Sequence, residues 1–160
     1  TADLAGYDFA SPSKLLAQLA DSIGTMGGTS GVILDIFFRA CGNSYASAES
    51  ATDVGSLLTA IEAGANAITF YGGATEGMRT MLDAMLPAHR AGAAAGALDA
   101  SGALAAMAEG ATAGADATRT MAAVAGRAAY VPDEQVQGTP DPGAMAVAFV
   151  LQAVAAAAAK

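Results

Sequence analysis

Alanine fills 44 of the 160 positions of this chain, and that choice restricts the fold more than any other feature. Alanine is the best intrinsic helix former, and its single methyl lets neighbouring backbones come close. The β-branched residues are scattered and do not alternate with polar ones, so no strand is expected. Larger apolar residues recur three and four positions apart, which is the helical period. With no Trp, four Tyr and five Phe, the core has to be built from Leu, Ile, Val, Met and Ala. The expectation is an all-α domain of about six helices in up-and-down order.

Local signals place the helices. The first is expected from Ser11 to Thr25: Ser11 can cap it, Pro12 suits the first helical position, and Leu15, Leu16, Leu19 and Ile23 form a stripe. The second follows Gly27–Gly31, with Val32, Ile33, Ile36, Phe37 and Ala40 on one side. The third runs from about Ala51 to Tyr71, opened by a Ser50/Asp53 capping box and ended by Gly72 and Gly73. A fourth is expected from Gly77 to Arg90, burying Met78, Met81, Leu82, Met85 and Leu86. Ala91 to Gly96 reads as a small-residue connection. The fifth is expected from Ala100 to Ala125, and its Ala and Gly content allows close neighbours. Val131 to Pro140 reads as a loop, and the sixth helix starts at Asp141.

Charge and composition exclude several classes of function. A net charge of −8 argues against general nucleic-acid binding, which needs a basic face, but leaves room for a nucleotide pocket served by one arginine. A single cysteine, Cys41, cannot form an internal disulfide, and the N-terminus has no basic region followed by an apolar run. Both point to a reducing, cytoplasmic compartment. The apolar run from Ala144 to Ala159 is shorter than the roughly 20 residues a bilayer requires. There is no P-loop, no GxGxxG after a strand, no nucleophile elbow and no zinc-ligand spacing around His89.

Three segments carry possible chemistry, and each also has an ordinary structural explanation. Gly27–Gly31, GGTSG, brings Thr29 and Ser30 beside the unpaired N–H groups of a helix start, where a phosphate is favoured. Ser and Thr also cap helices with no ligand present. Asp141, Pro142 and Gly143 make an ordinary helix start, or one that packs against a nucleotide. Arg127, in Gly126–Tyr130, is read as ending the fifth helix, where a cation suits the helix dipole. Its fork of donors also fits a di- or triphosphate. The other arginines read as members of surface pairs.

The order of these segments is more specific than any one of them. GGTSG, then IFFRA, then GMRTMLDAMLPA, then GRAAY, then DPGA, over nearly the whole chain, resembles the nucleotide-binding L-type domain of the dihydroxyacetone kinase family. The resemblance implies a single domain over residues 1–160, built as an antiparallel helical barrel with eight helices in the family. It implies ATP or ADP as ligand, contacted by Thr29, Ser30, Gly72, Met81, Arg127, Asp141, Pro142 and Gly143, with Met81 against base or ribose and Arg127 at the phosphates. It also implies Mg2+ and a K-type, dihydroxyacetone-binding unit as partner, fused or separate. No catalytic residue and no metal ligand is assigned within this sequence. Family members carry the metal ligands on an acidic loop of the form GDGD, ahead of the region that Thr1 opens; this sequence shows no such loop, and the count of about six helices is the one expected if the family's first two are missing.

Two further departures stand near the expected pocket. Met78 replaces an Asp that would cap a helix, a loss Thr75 could offset, and Ala129 replaces the Ser of GRASY. The functional expectation is the nucleotide-binding part of an ATP-dependent kinase of a small ketose, inactive as this chain alone. The rival is a non-catalytic helical scaffold that has lost the metal site. Relatives that split FAD to cyclic FMN or hold ADP as a carrier belong to the same resemblance. Apolar stripes left by missing helices would favour self-association.

Overall fold

The computed structural model describes residues 6–47, 53–95 and 99–160. Every regular element among them is helical, as the alanine content dictates. Residues 1–72 and 73–160 form two compact units.

The first unit holds α1 (Pro12–Gly24), α2 (Gly28–Ala46) and α3 (Val54–Gly72). Consecutive helices pack on one another, α1 on α2 and α2 on α3. Ser11 caps α1 by accepting from the Lys14 N–H, with Pro12 at the first helical position. Both roles are the ones their residue types favour. Asp53 opens α3 by accepting from the Ser56 N–H at 2.7 Å. The Ser50 half of the expected capping box lies outside the described residues. The core of this unit is small-residue packing around Ala20, Cys41, Ala60, Ala65 and Ile68. The Cys41 thiol donates to the Ala60 carbonyl at 3.1 Å, tying α2 to α3. Val32, expected on the buried face of α2, is exposed instead.

The second unit holds α4 (Leu82–Ala94), α5 (Ala100–Ala117), the single turn α6 (Asp133–Val136) and α7 (Pro142–Ala158). Helix α5 packs on both α4 and α7, and α4 also touches α7. The buried residues are Leu82, Met85, Ala103, Met107, Ala111, Ala115, Ala144 and their neighbours. Asp99 caps α5 through the Gly102 N–H. Asp141 caps α7 through the Ala144 N–H, and Pro142 follows at the first position.

Three helix boundaries differ from the sequence expectation. Helix α4 starts at Leu82, not Gly77, because Gly77–Thr80 curl around the Asp83 carboxylate. It continues through Ala91–Ala94, which the small-residue run alone suggested was a connection. Helix α5 ends at Ala117, not Ala125; a 3-10 turn follows at Thr118–Thr120, and a second one covers Arg127–Tyr130. The expected loop before Pro140 contains the turn α6.

Candidate functional site

In the first unit the chain enters α2 on two glycines, Gly27 and Gly28, whose φ angles of +69° and +68° lie in the left-handed region. Residues with a Cβ adopt that region at a cost, so this entry is built for glycine. Thr29 and Ser30 are not in the approach to the helix, as their sequence position suggested, but in its first turn. Both are exposed, and no side chain caps the helix start. A first turn leaves N–H groups without intrahelical acceptors and carries the positive end of the helix dipole, an arrangement suited to an anion. Gly72 closes α3, and a Cβ built on it would lie 3.2 Å from Ile33 Cδ1. Ile33 is one turn along α2 from Thr29, so these three residues share one end of the α2–α3 pair.

The second unit assembles Met81 with the start of α7. A Cβ placed on Gly143 would stand 3.4 Å from Met81 Cβ and 3.6 Å from Met81 N. Asp141 is buried, with 8% exposure, while Pro142 beside it is exposed. The Asp141 N–H donates to Thr118 Oγ1 at 2.7 Å, and the Thr118 hydroxyl donates in turn to the Ala115 carbonyl at 2.5 Å. The start of α7 is thereby fixed to the end of α5. Burial raises the Asp141 carboxyl above its ordinary range, against the lowering effect of the Ala144 N–H and the Arg79 charge.

Arg127 sits in its 3-10 turn after Gly126, ten residues beyond the end of α5, so the helix dipole is not what places a cation there. It is exposed, and among the described residues it makes no ion pair or hydrogen bond. Arg39, Arg90 and Arg119 hold surface pairs with Asp21 and Asp35, with Glu76, and with Asp116, as expected. A guanidinium without an internal partner is available to an external anion.

Two residues of this region were not singled out in the sequence. Arg79, expected in a surface pair, is 3% exposed and faces Asp141. Asp83 is 1% exposed and accepts from the Gly77 N–H at 2.5 Å and the Thr80 N–H at 2.7 Å. It closes the turn before α4, whose own start carries no side-chain cap. The Thr75 N–H donates to Met78 Sδ. The one available signal was spacing, since a carboxylate three residues after Thr80 can reach back to its N–H.

These donor sets do not fit a metal. The oxygens of Asp83 are taken by two N–H groups, and those of Asp141 by the Ala144 N–H and the Arg79 charge. Among the described residues no group of three or more His, Cys, Asp or Glu could hold a metal ion. What the described residues offer an anion is an uncapped helix start in the first unit and, in the second, an exposed guanidinium without a partner among them; Met81 adds apolar surface beside the capped start of α7.

A family model described as the DAK2 domain matches residues 1–156, and the chain belongs to that family. It is 39% identical over 150 residues to a dihydroxyacetone kinase of Citrobacter freundii, covering 90% of this chain and 25% of that protein. It is 36% identical over 151 residues to a triokinase/FMN cyclase of Bos taurus, covering 91% and 25%. Its fold is similar to the crystal structure of the C. freundii dihydroxyacetone kinase in its native form, with a TM-score of 0.70 at 32% identity over 92% of this chain and 24% of that one. The same kinase in complex with AMP-PNP and Mg2+ matches with a TM-score of 0.67 at 32% identity, covering 94% and 24%. The chain thus spans about a quarter of the length of the curated relatives it matches. Among the described residues no helix is long and apolar enough to cross a membrane.

Proposed function

We propose that this chain is the nucleotide-binding L-type domain, residues 1–160, of a kinase that transfers the γ-phosphate of ATP to a small ketose of the dihydroxyacetone kind. The carrying observation is the likeness, over 94% of the chain, to a kinase solved with AMP-PNP and Mg2+. The nucleotide contacts are Thr29, Ser30 and Gly72 in the first unit. In the second they are Met81, Arg127, Asp141, Pro142 and Gly143. Phosphoryl transfer rests on positioning and charge neutralisation, for which Mg2+ supplies part of the charge. The Mg2+ ligands are proposed to lie outside the described residues, among which no group of three or more His, Cys, Asp or Glu could hold a metal ion. A K-type unit presents the ketose. The proposed compartment is cytoplasmic.

The test is thermal unfolding with and without nucleotide. A ligand that binds only the folded chain, at about 100 times its dissociation constant, stabilises it by about 2.7 kcal/mol. ADP and AMP-PNP are expected to raise the melting temperature, and inorganic sulfate at the same ionic strength is not. A melting temperature unmoved by either nucleotide would leave the chain a helical scaffold.

A further inference from the structure

One guanidinium ties the turn before α4 to the approach to α7. Arg79 Nη2 donates to the Thr139 carbonyl at 2.9 Å and to the Val136 carbonyl at 3.3 Å. Its Nη1 stands 3.9 Å from Asp141 Oδ1. Two features of this residue are unfavourable in themselves. Its φ of +60° is left-handed, and it alone among the described non-glycine residues has a positive φ. Its Nε–H is buried with no hydrogen-bond partner among the described residues. Costs of this kind persist where the surroundings over-determine the conformation, and they concentrate at functional sites.

Both ends of the tie lie within two residues of a proposed nucleotide contact. Met81 follows Arg79 by two residues, and Asp141 opens the helix on which Gly143 meets Met81. The geometry points to Arg79 as a positioning residue for nucleotide binding: it holds Met81 and the Asp141–Gly143 helix start in one arrangement without itself touching the nucleotide. This inference rests on the functional reading above. Lysine keeps the charge but lacks the planar fork, so its single nitrogen cannot occupy both the Nη2 position between the two carbonyls and the Nη1 position facing Asp141.

The experiment combines ADP titration with methionine-methyl NMR on the 160-residue chain and its Arg79→Lys and Arg79→Met variants. In Arg79→Lys, ADP affinity is expected to fall about tenfold. The Met81 methyl resonance moves, whereas that of Met107, buried in α5, keeps its position. If Arg79→Met does not fold, Arg79→Lys alone decides. Arg79→Lys binding ADP as tightly as the wild type overturns the inference. So does a loss of affinity accompanied by an equal shift at Met107, the mark of a general structural role. A wild-type chain that binds no ADP overturns the functional reading itself, and the inference with it.

Discussion

Gly114 of α5 lies so close to α4 that a Cβ added to it would overlap the carbonyl oxygen of Asp83. Pro87, four residues after Asp83 inside α4, has no N–H with which to satisfy that carbonyl. The direction of the missing Cβ is the direction of one Gly114 Cα hydrogen, which therefore points at the oxygen that the proline leaves bare. Weak Cα–H···O contacts of this sort recur where helices touch. Gly114→Ala is expected to destabilise the chain by about 3 kcal/mol, although alanine is favoured over glycine in a helix by about 1 kcal/mol. Urea unfolding monitored by far-UV dichroism measures this; a neutral or stabilising result would mean that the helices separate at little cost.

The Thr118 hydroxyl carries the junction between α5 and α7. It is fully buried, accepts from the Asp141 N–H and donates to the Ala115 carbonyl. Thr118→Val keeps the shape and leaves that N–H unsatisfied, so a loss of about 1–3 kcal/mol is expected. Thr120→Val, at an exposed hydroxyl, should cost less than about 0.5 kcal/mol. Equal losses in the two variants would remove the junction from the account.

Cys41 gives the chain an alkaline weakness. Burial pushes its thiol up to about 12 from 9.0, partly offset by the Gly64 backbone. The folded chain therefore holds a proton that the unfolded chain releases. That contribution to stability is complete below about pH 9 and is lost as pH rises toward about 12. Urea midpoints of the wild type should fall between about pH 8 and about pH 10.5 more steeply than those of Cys41→Ala. Parallel declines would contradict a buried, protonated thiol.

The helix starts were legible because their signals are local. Ser11 with Pro12, and Asp141 with Pro142, each place a cap and a proline within two residues, and both open helices as expected. The start of α4 was not legible. Asp83 sits in a run of Met and Leu that has the helical period from Met78 onward, and nothing in that period tells that its carboxylate folds the preceding four residues around itself. The end of α5 was missed for a related reason. Past Ala117 the chain is still rich in alanine, and the break is set by Thr118 reaching Asp141, 23 residues away. At the candidate site, Thr29, Ser30 and Arg127 were visible as a residue type beside a glycine turn. Arg79 was not, because its burial depends on carbonyls 57 and 60 residues away.

Arg127 bears the central claim. It is exposed and, among the described residues, unpaired, so removing its side chain should leave the fold alone, within about 0.5 kcal/mol. If it meets the phosphates of a nucleotide, its charge-assisted bonds are worth about 1.5–3 kcal/mol, or about 10- to 150-fold in affinity. The decisive measurement is a calorimetric titration of ADP into the wild-type chain and into Arg127→Ala. The account predicts saturable binding to the wild type and a loss of at least about tenfold in the variant, with unchanged unfolding. Equal affinity in the two proteins, or no heat of binding to the wild type, would contradict it.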